Sequence, residues 1–157
     1  MNYNTRKLIE YYGICKCESN NIKNFTQVNK EYILKIPLCN PDIDEITKVW
    51  VKVCEDDVEL IKTPCGKSVE GQILTGNKLL VCGRINLKIQ YISCSSQQSI
   101  HTAIEEIPFC GTIVLPKGFN KYAYKKVTIC VEDIFSQKLD SRNIYNNITM
   151  IFIADIN

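Results

Sequence analysis

A chain of 157 residues with 45% apolar and 23% charged side chains has the makeup of a single globular domain, large enough to bury about 70% of the surface its unfolded form exposes. That composition argues against disorder and against a bilayer-spanning segment. A formal charge of +2, spread along the chain, is too weak to nominate nucleic acid as a partner.

The first thirty residues are polar and rich in Asn and Tyr. Arg6 and Lys7 are followed by only Leu8 and Ile9 before the next charge, too short a stretch for a secretory signal, so the chain is expected to be made, and at first kept, inside a cell. Residues 1–30 are expected to form an arm, with a strand over Lys7–Cys17 that can pair at home or on a neighbouring copy; residues 31–157 form the domain proper. Tyr11 and Tyr12 are the candidate contacts of that arm.

Alternation of period two then dominates. Tyr32, Leu34, Ile36 and Leu38 make a first inward set. Asn40 as cap, Pro41 at the first helical position and acids at Asp42, Asp44 and Glu45 predict one short helical turn before the next strand. Val49, Val51 and Val53 then alternate with Trp50, Lys52 and Cys54, which puts Trp50 on the polar side as a candidate interface residue. Val69, Gly71 and Ile73 lead into Thr75-Gly76-Asn77 and a long strand from Leu79 to Ser93, which together predict a hairpin. In that strand Val81, Ile85, Leu87, Ile89 and Tyr91 share one face, with Cys82, Arg84, Asn86, Lys88 and Gln90 on the other. Val127, Ile129 and Val131 alternate with Thr128, Cys130 and Glu132, and Ile148, Met150, Phe152 and Ala154 close the domain. Many strands with almost no helical periodicity indicate an all-β domain, a sandwich or a barrel; the antiparallel two-sheet β-sandwich with an N-terminal arm and at most one helical turn is the expected form.

Nine cysteines, an odd number, cannot all pair within one chain. No Cys-x-x-Cys occurs and His101 is the one histidine, so the spacing argues against a zinc site, and neither a metal nor a cofactor is expected. Parity places Cys54, Cys82 and Cys130 toward water, although a one-residue bulge would turn any of them inward. With Cys15 and Cys17 of the arm they are the candidates for disulfide cross-links, either across strands of one chain or between chains.

Catalytic patterns are weak. His101 could serve as base to Cys110 or Cys130, yet no local signature surrounds either thiol. Gly71 to Gly76 imitates the start of a phosphate-binding loop, but Asn77 stands where Lys is required. The adjacent acids Asp56-Asp57 and Glu105-Glu106 point to opposite faces of a strand and suit solubility better than acid/base work. An enzyme is not expected.

Several blocks together resemble the SPOCS domain (DUF3794) family of spore-forming Firmicutes, across about residues 31–156. They are Pro41-Asp42-Ile43-Asp44-Glu45-Ile46, the run from Leu80 to Ile92, Ser99-Ile100-His101, Glu106-Ile107-Pro108-Phe109, and Val131-Glu132-Asp133-Ile134. The resemblance implies a role in coat or exosporium morphogenesis at the spore surface, assembled from the mother-cell cytoplasm. Larger relatives carry a further LysM module, which this sequence lacks, and the cysteine load is heavier than the family leads one to expect. Partner contacts carried by that module therefore do not transfer, and the cysteine load points to a structural, cross-linked member whose main partner is itself, as a filament or array. A non-enzymatic adaptor that recruits other spore coat proteins is the alternative. Neither nucleic acid nor a membrane is expected as a partner.

Overall fold

Strands that are dry on one face must find a second dry face, and the computed structural model, which describes residues 8–16 and 22–156, shows how this chain does so. Its strands are β1 (Glu10–Tyr12), β2 (Phe25–Lys35), β3 (Ile43–Lys67), β4 (Ile73–Ser93), β5 (Ile100–Val114), β6 (Tyr124–Lys138) and β7 (Asn143–Ile156). One sheet has the order β1-β3-β4-β5 and the other β2-β7-β6, a two-sheet sandwich as expected. Neighbours run antiparallel except β1, which lies parallel to β3.

The core sits between the sheets. Val81, Ile85, Leu87, Ile89 and Tyr91 on β4 are fully buried, and so are Ile148, Met150 and Phe152 on β7. Phe109 of β5 meets Phe152 of the facing sheet with ring centroids 5.5 Å apart. Full burial of each such side chain is worth about 1.5–3 kcal/mol, so the two central strands carry most of the driving force.

Four expectations are corrected. β2 begins at Phe25, inside the segment assigned to the arm, so the domain starts before residue 31. Leu38 is 93% exposed because β2 ends at Lys35 and a turn follows, in which the Asn40 N–H donates to the Pro37 carbonyl at 2.9 Å. No helix forms over Asn40–Ile46: Ile43 and Ile46 are both needed in the core, and β3 accommodates them with register shifts at Ile43/Glu45 and Ile46/Lys48. Among the described residues the one helical turn, of 3-10 type, is instead Lys121–Ala123, where the Asn120 side chain accepts from the Tyr122 N–H at 3.0 Å. Finally, the hairpin turns at Ser68–Gln72, with Gly71 in the left-handed region at φ 91°, and not at Thr75-Gly76-Asn77. Those three residues lie within β4, where a bulge between Lys62 and Cys65 of the partner strand uses their conformational freedom.

Candidate functional site

The arm is docked on its own chain. Glu10, Tyr11 and Tyr12 pair with Lys48, Val49 and Trp50 on the outer edge of β3, and the Cys15 N–H donates to the Val131 carbonyl of β6 at 2.9 Å. β1 thus bridges an edge of each sheet. Gly13 allows the passage: its φ is 106°, and a Cβ there would stand 2.0 Å from the Val51 carbonyl oxygen. Tyr11 points inward, where its hydroxyl accepts from the Ser136 N–H at 3.0 Å and donates to the Ser136 carbonyl at 3.4 Å. The buried Ser136 hydroxyl donates to Asn146 Oδ1 at 2.6 Å, and Asn146 Nδ2 donates to the Tyr32 and Ile144 carbonyls at 3.3 and 3.1 Å. Burial makes each of these partners costly to lose. Tyr11, a candidate contact for other molecules, is therefore engaged in an internal latch; Ser136 and Asn146 had no sequence signal beyond being polar residues in apolar runs.

Tyr12 and Trp50 stay on the outer face. Their rings stack at 5.4 Å, and Lys88 Nζ lies 4.9 Å from the Trp50 centroid. The Tyr12 hydroxyl hydrogen-bonds the Glu10 carboxylate, which holds its pKa above the ordinary tyrosine range, with slight desolvation adding to the effect. With Asn86 and Ile104 they line a shallow groove of about 410 Å³ on the four-stranded sheet.

The cysteines divide into bonded and free. Cys82 and Cys110 face each other on β4 and β5 with Cα atoms 4.2 Å apart and form a disulfide. Parity put Cys82 on the outer face with a bond open across strands or between chains; its partner is a register neighbour in the same chain, which leaves no thiol for a bond between copies. Cys130 is also disulfide-bonded and only 5% exposed, not turned to water. The register is unbroken from Val127 to Val131 and sets Cys130 opposite Ile151, itself buried, so the parity stands and it is this face of the strand that is not open to water. Cys54 is free and half-buried, with the Asn86 Nδ2 amide 3.9 Å from its sulfur. Cys15 is free and exposed; Cys17 lies outside the described residues. Three more free, exposed thiols went unmarked by parity: Cys39, Cys65 and Cys94. Their signal was proximity to turn residues, Asn40, Pro64 and the serines 95 and 96.

One end of the sandwich gathers three loops. Arg142 donates to the carbonyls of Ile36, Pro37 and Asn40 and to Asp42 Oδ1 at 2.6–3.1 Å, and the buried Tyr91 donates to the Pro41 carbonyl at 3.0 Å. His101 stacks on Tyr91 at 5.8 Å and its Nε2 lies 2.8 Å from the Ser99 hydroxyl. On the outer face Arg84 forks onto Asp56 at 2.8 and 2.9 Å and reaches Glu106 at 3.3 Å, contacts that hold its pKa above the usual arginine range. The sequence blocks singled out above thus touch one another through Pro41 and Tyr91, Tyr91 and His101, and Arg84 and Glu106: they hold strands together. Among the described residues no group of three or more His, Cys, Asp or Glu side chains could hold a metal ion. No helix there is long and apolar enough to cross a membrane.

The family model described as SipL, SPOCS domain, matches residues 42–139, a span that runs from the start of β3 through β6. Searches of curated proteins and of solved structures find no match.

Proposed function

Because the chain belongs to the SPOCS domain family, a family of sporulation proteins, we propose that it is a structural subunit of the bacterial spore surface. Copies associate through strand contacts in the mother cell, and disulfides between chains then lock the assembly in the coat, the exosporium or a filament. The role is mechanical, not catalytic, and the partners are further copies and other spore coat proteins.

The observation that carries this reading is the division of the cysteines. Cys82, Cys110 and Cys130 are bonded, whereas Cys15, Cys39, Cys65 and Cys94 are free and exposed. A buried thiol is accounted for by packing alone, and four exposed ones are not. Each is open to a thiol of another copy once the reducing cytoplasm is gone. Assemblies of the purified chain, formed in air and boiled in detergent, are expected to release monomer only when reductant is added. Release without reductant would overturn the covalent lock.

A second reading, an adaptor that recruits other coat proteins, is favoured by the Tyr12, Trp50 and Lys88 groove, since aromatics on an outer face beside a cation are typical of interface cores. Negative-stain microscopy separates the two. Extended assemblies of the chain alone support the structural role; a persistent monomer that takes up one coat protein in fixed ratio supports the adaptor.

A further inference from the structure

The four-stranded sheet turns one face to the core and the other to water. Across its outer face β1, β3, β4 and β5 set Tyr12, Trp50, Lys88 and Ile104 side by side in one row. Lys52 and Asn86 pair in the next row along. These six side chains line the groove of about 410 Å³. Its surface is largely apolar, and Ile104 at its rim is 72% exposed.

Charge around the groove is unevenly satisfied. The carboxylates that border it are both engaged: Glu10 by Lys48 at 3.9 Å and by the Tyr12 hydroxyl, Glu106 by Arg84 at 3.3 Å. Arg84 holds Asp56 as well, at 2.8 Å. Lys52 and Lys88 are exposed and, among the described residues, join no ion pair. Lys48, Lys52, Arg84 and Lys88 against Glu10, Asp56 and Glu106 leave a net positive charge, and the cations without partners are the two in the groove. A partner that covers this surface must bring the opposite charge or leave them unpaired.

Resting on the adaptor reading above, we propose that the groove takes an extended acidic segment of another protein, with one apolar residue seated on Ile104 and two carboxylates paired with Lys52 and Lys88. The spacing suits such a segment. Lys52 and Lys88 stand on neighbouring strands two residues out of step, so their Cα atoms are about 7–8 Å apart. Acids two residues apart in an extended segment point to the same side and stand about 6.6 Å apart. Sheet order decides against a sugar. Tyr12 and Lys88 flank Trp50 from opposite sides, so neither face of the indole is open for a sugar ring to stack on. What remains is the edge of the ring, which is its positive part and favours a carboxylate.

Trp50 is the chain's one tryptophan, so its fluorescence reports on the groove alone. The full chain is titrated with a blocked peptide, Ser-Leu-Ser-Glu-Ser-Glu-Ser, and with the same peptide carrying Gln or Lys in place of Glu, followed by fluorescence and by calorimetry. Saturable binding is expected of the Glu peptide, and it should weaken about tenfold as salt rises from about 0.01 to 1 M. Lys52→Gln and Lys88→Gln should each weaken it about two- to fivefold, and both sites are exposed, so the variants keep the fold. The double variant Lys52→Glu with Lys88→Glu should refuse the Glu peptide and take the Lys peptide, an exchange that a merely structural role for the lysines does not produce. Equal binding of the Glu and Gln peptides, or no binding by either measurement, overturns this docking, and so does saturation of the groove by a chitin oligosaccharide instead. The adaptor reading is decided separately: it falls if the chain takes up no coat protein in fixed ratio, whatever the peptides do.

Discussion

Within the β3–β4 hairpin, the stretch that faces the second sheet and the stretch that outruns it use the same hydrogen-bonded ladder in opposite surroundings. Val81, Ile85, Leu87, Ile89 and Tyr91 of β4 are buried in the core, whereas Val69 and Ile73, no less apolar, stand in water on the two-stranded ribbon of residues 63–74. Strand formation therefore does not by itself confer burial; a facing layer does. The ribbon is kept extended by its ladder and its turn alone, with little core of its own, and that makes its apolar side chains available to another molecule in a way the sandwich's are not. β3 shows the same contrast along its edge, closed by the arm at Lys48–Trp50 and bare in the ribbon.

Truncation at matched positions is the strongest way to break this contrast. Phe152→Ala removes a fully buried ring that packs on Phe109, and chemical denaturation should show a loss of about 3–5 kcal/mol. Ile73→Ala, at a position 72% exposed, should stay within about 0.5 kcal/mol of the parent. Comparable losses at the two sites would mean that the ribbon is covered by protein after all.

A smaller effect is expected at the closed edge of β3. Tyr11→Phe deletes the hydroxyl that pairs with both backbone groups of Ser136 and leaves the ring in place. An unpaired buried N–H costs about 1–3 kcal/mol, so the arm should open at least severalfold more often, seen as faster amide exchange over residues 10–15 with the rest of the sandwich unchanged. Unaltered protection there would show that the three β1 pairings hold the arm without the latch.

How much of this was legible in the sequence depends on how dry each face is. Val81 to Tyr91 and Ile148 to Ala154 alternate cleanly because one side of each strand sees only the other sheet, and the two-layer fold follows from that alternation. β2 escaped notice before residue 31 because its inward parity carries Thr26 and Lys30 beside Val28, so no apolar rhythm announces it. Thr75-Gly76-Asn77 reads as a turn because Gly there needs a left-handed backbone; a bulge needs the same thing, and local sequence cannot tell the two apart. Disulfide partners lie further out of reach. That Cys82 meets Cys110 depends on which strands become neighbours and in what register. The tyrosines and the tryptophan were legible as a group but not by role: Tyr11 and Tyr12 are adjacent on a strand, so one enters the latch and the other stacks on Trp50.

The gentlest test compares the two ends of the long hairpin through their carboxylates. In the ribbon's turn Glu70 titrates below its ordinary 4.5, chiefly through a hydrogen bond from its own backbone and then one from Ser68. In the loop end Asp140 titrates below its ordinary 3.8, chiefly through the Asn143 side chain and then the Arg142 N–H. A pKa lower in the folded chain than in the unfolded one means that the unfolded chain takes up protons first, so each group stabilises its end above the ordinary value and loses that contribution as pH falls through the folded value. Acid should thus loosen Ser68–Gln72 once pH drops below about 4.5 and residues 139–143 below about 3.8, as read by amide exchange. Asp140→Asn keeps an acceptor for the Arg142 and Asn143 N–H groups but removes the titration, so the loop should lose its acid sensitivity while the ribbon's turn keeps its own. Equal acid loosening of residues 139–143 in parent and variant would place the responsible group elsewhere. The ends differ in what holds them, a bare turn against a set of loops pinned by Arg142, and the variant measures how much of the second rests on one carboxylate.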